Sequence, residues 1–331
     1  MRDFGVSVLD QYEINVTETR RVRGGLAVTA KEGTYILKEQ SILPERIQFL
    51  VHIYRVLEEC TEFYVDTPVA NKEEEYLSKA EDGTTYMLKK WFDGHECDIR
   101  KEDEIVEGVK TLAKIHKTLK IEDKEEIKCP YNPRILLEEY ERHNRELRKV
   151  YIFVRKRSVK NTFEAEFLKS YEKMYAQAQN ALDKMREERY IEVCRAAEQN
   201  HEVSHGDYNY HNILFGEKGI CITGFERAHI EPQISDLYYY LRKTLEKYHY
   251  DAKIGHRLLQ AYNTIKPLSE NQRDYLAVRL SYPEKFWKIA NAYYHSNKAW
   301  IPEKNVEKLK NTIEQSEEKK RMLERVFSFY Y

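Results

Sequence analysis

The sequence predicts an α+β fold of two lobes, a small N-terminal lobe with an antiparallel sheet and a larger, mainly helical C-terminal lobe. At 331 residues the chain exceeds one compact domain of ordinary size. Apolar residues alternate as in strands over most of the first ninety residues or so and recur with helical spacing beyond about residue 100. We therefore expect a small lobe over residues 1–92 and a large lobe over 93–331.

The small lobe is predicted to contain five strands and one helix. Alternation over Gln11–Leu37, with a turn at Ala30–Gly33, indicates an antiparallel meander. A helix is expected over Ile42–Cys60 because its apolar residues fall on one face. Two more strands are expected around Thr67–Asn71 and Thr84–Trp91. This arrangement places the helix against one sheet.

The large lobe is predicted to be helical apart from one hairpin. An amphipathic helix is expected over Glu102–Leu119, and a charged helical insertion over about 133–189. Short strands on either side of Gly216–Gly219 form the hairpin that ends the catalytic-loop region, 205–226. Helices interrupted by prolines fill the remainder, 233–327.

The most informative motif is the run from His205 to Phe215, which sets Asp207 and Asn212 five positions apart before a short strand. Phosphoryl transfer needs a carboxylate that orients an attacking hydroxyl and a nearby amide oxygen that holds a metal ion. We therefore assign Asp207 as the catalytic base, with His205 in support, and Asn212 as a metal ligand. Turn stabilisation alone would explain either residue singly, but not the pair and the hairpin that follows.

A lysine that could reach nucleotide phosphates is Lys38, at the end of the third predicted strand. Glu45, Glu58 and Glu59 follow it on the predicted helix, and any of the three could pair with it. No G-x-G-x-x-G loop precedes it. Asp236 opens a later helix and is assigned a structural role that braces the catalytic loop.

Twelve residues after Asn212 the chain reads Thr223-Gly224-Phe225-Glu226, where a second metal-binding aspartate is expected in a phosphotransferase. Glycine has no side-chain oxygen. The sequence therefore predicts a phosphotransferase architecture whose catalysis is weak or lost.

Composition excludes several other classes of protein. Basic and acidic side chains number 55 and 56, so no overall field favours nucleic acid or an anionic membrane. The five cysteines are scattered without a CxxC pair, which argues against a disulfide framework or a zinc site. No stretch approaches a membrane span, and we expect residence inside the cell.

The motif from His205 to Asn212, together with Asp236-Leu237, resembles the aminoglycoside phosphotransferase and choline kinase superfamily, relatives of protein kinases. Within it, further segments look like the CotS-type spore coat proteins of endospore-forming bacteria, over nearly the whole chain. These segments are Val22–Gly24, Tyr35–Glu39, Trp91–Glu96, Leu112–His116 and Asp236–Lys243.

The resemblance implies a bilobal protein-kinase-like fold that binds ATP and Mg2+. It implies Lys38 as the phosphate lysine, Asp207 as the catalytic aspartate and Asn212 as a metal ligand, with Glu226 as a poor substitute for the aspartate missing at Gly224. The implied acceptor is a hydroxylated small molecule or sugar, and the implied locations are the mother-cell cytoplasm and the spore coat, where other coat proteins are partners. Three functions remain open: a pseudokinase of sporulation, an active ATP-dependent phosphotransferase, or, ranked last, a protein-binding module built around the helical insertion.

Overall fold

The computed structural model describes residues 5–22, 24–60, 62–119, 135–296 and 303–330, without the side chains of residues 45 and 135. Arg23, Cys129 and the first residues of the predicted insertion, from 133, lie outside the described residues. So does the side chain of Glu45, one of the three candidate partners of Lys38.

Close packing divides the chain into two compact units, residues 1–130 with 201–230, and residues 131–200 with 231–331. The hairpin that follows the predicted catalytic loop lies in the first unit, together with the N-terminal sheet. The lobe boundary at residue 92 stays a prediction.

The first unit contains the strands of the described chain and two helices. Its N-terminal elements are β1 (Val16–Val22), β2 (Gly25–Ala30), β3 (Gly33–Glu39), α1 (Ile47–Glu58), β4 (Tyr64–Val65), β5 (Ser78–Lys79), β6 (Thr85–Lys90), β7 (His95–Glu96) and α2 (Glu102–Thr118). Its later strands are β8 (Val203–Ser204), β9 (Ile213–Gly216), β10 (Gly219–Ile222) and β11 (His229–Ile230).

The main sheet is antiparallel, with the order β1-β2-β3-β6-β5. The predicted α+β class, the meander and the helix α1 are therefore confirmed. Leu37 and Leu88 lie on one face of the sheet, in a core with Val8 and Leu9 of the N-terminal 3-10 helix. The opposite face carries Ile36 and Lys38.

One expected strand is wrong. Around Thr67–Asn71 the chain forms only an isolated bridge between Pro68 and Lys89. The pairing ends there because the chain turns at Asn71, whose side-chain oxygen accepts from the backbone N–H groups of Glu73 and Glu75. The short strand β5 pairs with β6 at the edge instead.

A second sheet joins early and late parts of the sequence in the order β4-β10-β9-β7. The predicted hairpin is β9 and β10, paired from Ile213 with Ile222 to Gly216 with Gly219. Strand β10 runs parallel to β4, and β7 pairs with β9. Strands β8 and β11 form a separate pair. This second sheet brings the residues after β10 next to the residues after β4.

The second unit is helical. It contains α3 (Ile135–Lys156), α4 (Thr162–Met185), α5 (Glu188–Gln199), α6 (Ile234–Leu245), α7 (Ala252–Asn263), α8 (Glu270–Ser281), α9 (Glu284–Tyr294) and α10 (Glu303–Phe327). The two long helices predicted for the insertion are α3 and α4. A capping box in which Asn161 and Glu164 bond each other's backbone begins α4.

The turn after β8 requires Gly206. Its φ is +78°, in the left-handed region that L side chains rarely adopt. A Cβ there would lie 2.3 Å from the backbone oxygen of Arg227, just before β11. Gly206 therefore permits the backbone to pass close to Arg227 where the chain leaves β8 and enters the predicted catalytic loop.

We predict that Gly206→Ala destabilises the protein by about 3 kcal/mol or more, because backbone strain and a backbone clash add. Gly83→Ala is the matched control: its φ is +82°, but no atom lies within 4 Å of a Cβ there. We expect that control to cost only about 1 kcal/mol. Denaturant unfolding measures both, and equal losses for the two variants would contradict the role of the close approach.

Candidate active site

The loop between β8 and β9 contains the predicted motif and ends in a 3-10 helix, Tyr210–Asn212. The buried Tyr208 anchors it, since its hydroxyl donates to the backbone oxygen of Gly108 in α2 at 2.7 Å. Asn209 caps the 3-10 helix by accepting from the backbone N–H of His211. The loop is thus fixed by its own polar side chains and by one helix.

His205 is fully buried and connects the loop to the end of β10. Its Nε2 lies 3.1 Å from the carbonyl oxygen of Thr223, and its Nδ1 lies 3.2 Å from the backbone N of Asp207. A carbonyl only accepts and an N–H only donates, so these partners assign the neutral tautomer with the proton on Nε2. In this geometry His205 positions the backbone of Asp207 and has both ring nitrogens in use.

Asp207 and Asn212 lie together. The Nδ2 of Asn212 donates to the backbone oxygen of Asp207 at 2.8 Å. The Nδ2 of Asn209 donates to the same oxygen at 2.8 Å and to the carboxylate Oδ1 of Asp207 at 3.1 Å. The amides of Asn209 and Asn212 thus set the conformation around Asp207. Because Asn212 uses its Nδ2 in this contact, its amide oxygen remains available as a ligand.

Gly224 follows β10 and lies beside Asn212. Its φ is +88°, and an ideal Cβ at this position would stand 3.4 Å from the amide atoms of Asn212. A carboxylate attached there would therefore share one site with Asn212. Instead, the backbone N–H of Gly224 donates to both carboxylate oxygens of Asp66 at 3.2 Å.

Sequence reasoning missed the centre of this region, which is the buried Lys89 of β6. Its Nζ pairs with Asp66 Oδ2 at 2.9 Å, donates to the hydroxyl of Tyr54 at 2.7 Å and pairs with Glu226 Oε1. The side chains of Lys89 and Asp66 are 0% exposed. Burial lowers the pKa of Lys89, but the two carboxylates outweigh it and raise the pKa overall.

Glu226, predicted as a substitute metal ligand, lies in the 3-10 helix Phe225–Arg227 after Gly224. Besides Lys89, its Oε1 accepts from Gln40 at 3.4 Å. Burial raises the pKa of its carboxyl, but the charges of Lys89 and Lys38 outweigh burial and hold the pKa at about 2. Its charge is therefore already balanced by lysines, and a metal-ligating role stays a prediction.

Lys38 lies on the same side of the sheet as Lys89. The register pairs Lys38 with Met87 and Ile36 with Lys89, and opposed residues of an antiparallel pair point to one face. The Lys38 Nζ stands 5.7 Å from the centre of the Trp91 ring. Among the described residues, no hydrogen bond or ion pair involves the Lys38 ammonium. Its ammonium is therefore available to an anionic ligand.

The helix α1 contributes a tyrosine rather than a glutamate to this face. Glu58 instead accepts from the Thr67 hydroxyl and pairs with Lys90 at 3.3 Å. Tyr54 donates from its hydroxyl to Asp66 at 3.0 Å. Glu58 thus points away from Lys38, and α1 is tied to the site through Tyr54.

The residues present do not fit a divalent metal site of the expected kind. Mg2+ is held in such sites by carboxylate and amide oxygens together with substrate phosphates. Asn212 supplies an amide, but Gly224 supplies no carboxylate and Glu226 is paired with Lys89. Across the described ranges, no group of three or more acidic, histidine or cysteine side chains could hold a metal ion.

Asp236, assigned to brace the loop, lies in the first turn of α6 and is 2% exposed. The bracing role stays a prediction.

Of the predicted residues in the first unit, the structure joins His205, Asp207 and Asn212 directly by hydrogen bonds. Glu226 forms an ion pair with Lys89, and the charges of Lys89 and Lys38 lower the pKa of the Glu226 carboxyl.

We predict that Glu226→Gln flattens the acid dependence of stability. A carboxyl whose pKa is lowered on folding stabilises the protein above its unfolded pKa, near 4, and loses that contribution as pH falls towards 2. The wild type should therefore lose on the order of 1–3 kcal/mol more than the variant between about pH 5 and 2. Denaturant unfolding across pH measures this, and parallel curves for the two proteins would contradict it.

Comparisons with known proteins identify a curated relative, structures of the same fold and one family. The chain is 26% identical over 172 residues to Spore coat protein S of Bacillus subtilis (strain 168), a match that covers 51% of this chain and 49% of that protein. The chain thus matches about half the length of this curated relative. Within the described residues, no helix combines the length and apolarity that crossing a bilayer requires.

Solved structures extend the likeness over nearly the whole chain. An aminoglycoside phosphotransferase from Alicyclobacillus acidocaldarius superposes with a TM-score of 0.85 at 18% identity, over 96% of this chain and 93% of that one. A spectinomycin phosphotransferase in complex with ADP and spectinomycin gives 0.62 at 13% identity, over 95% and 96%. An amicoumacin kinase in complex with AMP-PNP and Ca2+ gives 0.61 at 12% identity, over 95% and 92%.

At these identities the solved structures establish the bilobal phosphotransferase-like fold alone. The family follows from the sequence, because the family described as "Spore coat putative kinase YutH" matches residues 6–326. That match spans nearly the entire chain and agrees with the predicted CotS-type resemblance. The chain therefore belongs to the spore coat putative kinase YutH family.

Proposed function

We propose that this protein is a spore-coat-associated kinase-fold protein that binds a nucleotide but transfers phosphate weakly or not at all. The observation that carries the proposal is Gly224, which offers no carboxylate beside Asn212. Loss of a metal-binding carboxylate removes a contact made most strongly in the transition state. Such a loss costs several kcal/mol, which corresponds to orders of magnitude in rate.

Nucleotide binding is supported by Lys38. Its ammonium has no polar partner in the described ranges and stands on the same sheet face as Lys89. A lysine in this position attracts phosphates as a point charge. The spectinomycin phosphotransferase with ADP and the amicoumacin kinase with AMP-PNP share the fold, which favours a nucleoside di- or triphosphate as the ligand.

Location on the spore coat or in the mother cell is supported by the family and by the partial match to Spore coat protein S. Other coat proteins are the partners this location supplies. On this proposal the protein acts through its surfaces, with a bound nucleotide as a structural ligand or a signal.

A second candidate function is an active ATP-dependent phosphotransferase for a hydroxyl group of a small molecule or sugar. The observation that favours it is the intact loop around Asp207, which His205, Asn209 and Asn212 hold by hydrogen bonds. A carboxylate so held could orient an acceptor hydroxyl. Transfer would then proceed without the carboxylate missing at Gly224.

We predict that ATP raises the thermal midpoint of the wild type and that Lys38→Ala removes most of this shift, because binding to the folded state stabilises it. Lys90→Ala is the matched control: its side chain is 63% exposed on the neighbouring strand. A thermal-shift titration measures the three proteins. No shift with the wild type, or an equal shift in Lys38→Ala, would contradict nucleotide binding at Lys38.

We predict that Gly224→Asp gains magnesium-dependent ATP hydrolysis or transfer, because its Cβ position lies 3.4 Å from the Asn212 amide. The positive φ costs the variant about 1 kcal/mol of stability. Gly224→Asn reproduces that strain without the charge and should stay inactive, and adding Asp207→Ala should abolish the gain. A wild type that is already robustly active, with no gain in Gly224→Asp, would favour the second candidate function.

A further inference from the structure

Three side-chain oxygens converge on the ammonium of Lys89. Asp66 Oδ2 lies at 2.9 Å, the Tyr54 hydroxyl at 2.7 Å, and Glu226 Oε1 completes the set. Two of the three are carboxylate oxygens, and they come from segments after β4 and after β10. We call Lys89, Asp66, Tyr54 and Glu226 the ammonium cluster. Its oxygens surround one positive charge much as protein oxygens surround a bound cation.

The ammonium cluster is a buried feature. Lys89 and Asp66 are fully buried, and the Glu226 side chain is 19% exposed. Moving an ammonium and carboxylates out of water carries a desolvation penalty of several kcal/mol per ion, and only good mutual geometry offsets it. Removing Lys89 alone would leave the carboxylates of Asp66 and Glu226 without the ammonium that pairs with both.

The ammonium cluster contacts Gly224, the position at which a metal-binding carboxylate is expected. Asp66 also accepts from the backbone N–H of Gly224, the residue beside the Asn212 amide. An N–H dipole presents positive charge to its partner and gives no ligand to a metal. The backbone N–H of Gly224 and the carboxylate of Glu226 are therefore both engaged with the cluster.

We propose that the Lys89 ammonium takes the place of a divalent cation in this site, and, resting on the function proposed above, that the nucleotide at Lys38 binds without a divalent metal. Lys89 and Lys38 have different roles in this site. Lys89 neutralises the carboxylates of the protein, and Lys38 faces the phosphates.

A first experiment uses the nucleotide-free protein, so it does not depend on the proposed function. Mn2+ binding is followed by electron paramagnetic resonance of the free ion. We expect no bound Mn2+ in the wild type at millimolar metal. Lys89→Ala, which frees the converging oxygens, should bind Mn2+ at least about tenfold more tightly than the wild type. Lys90→Ala, on the same strand, should behave as the wild type.

Tight Mn2+ binding by the wild type would overturn the proposal, as would a folded Lys89→Ala variant that gains no Mn2+ site. Circular dichroism checks the fold of that variant. If Lys89→Ala fails to fold, the wild-type titration decides alone, because the proposal requires that it bind no metal.

A second experiment measures ATP affinity by calorimetry with Mg2+ and with EDTA. We expect the two dissociation constants of the wild type to agree within about threefold. Gly224→Asp serves as the positive control and should bind more tightly with Mg2+. A tenfold or greater requirement for Mg2+ in the wild type would overturn the proposal. No ATP binding in either condition would refute nucleotide binding at Lys38 and the metal-free arm with it, while the Mn2+ titration still decides the role of Lys89.

Discussion

The carboxylate of Asp66 is the constraint on which the site depends. It accepts from the Tyr54 hydroxyl, from Lys89 and from the backbone of Gly224. These partners come from α1, β6 and the end of β10, which are far apart in sequence. Because Asp66 is fully buried, each of these contacts is needed to offset the loss of its hydration. The position of Gly224 relative to Lys89 follows from this one carboxylate.

Because Lys89 pairs with the carboxylates of both Asp66 and Glu226, their charge is balanced without a metal ion. The site has two buried or largely buried carboxylates and two lysines on one sheet face, and Glu226 lies under the influence of both lysines. Such a buried network is weak evidence for added stability, because desolvation offsets much of the attraction. It does specify which groups remain available, and these are the Lys38 ammonium and the loop that holds Asp207.

Much of the fold could be predicted because it rests on local patterns. The alternation that gives β1 to β3 and the Gly216–Gly219 turn of the β9–β10 hairpin are properties of neighbouring residues. The strand expected around Thr67–Asn71 failed because the chain turns at Asn71, a residue type that favours turns, so the signal was in the sequence. The motif at Asp207 and Asn212 was also local, and the structure joins these two residues through one hydrogen bond.

Lys89 could not be found this way, since it is one of 55 basic residues and nothing in its neighbours marks it as buried. Its signal was present only as alternation, which puts Lys89 on the face of Met87 and Trp91, whereas Lys90 is exposed at the end of the strand. Asp66 lay beside a strand of two residues, and its partners are set by the parallel pairing of β4 with β10. Long-range pairing of this kind has no local sequence pattern.

We infer that Lys38, Asp207 and Asn212 serve one nucleotide site whose cation is an ammonium of the protein itself. The most direct test is a crystal structure of the protein grown with ATP and Mn2+, with anomalous scattering recorded at the manganese edge. We expect phosphates against Lys38, the Lys89 pairs with Asp66 and Glu226 intact, and no manganese peak beside Asn212. A manganese ion bound by Asn212 and Glu226, with Lys89 turned away, would contradict it.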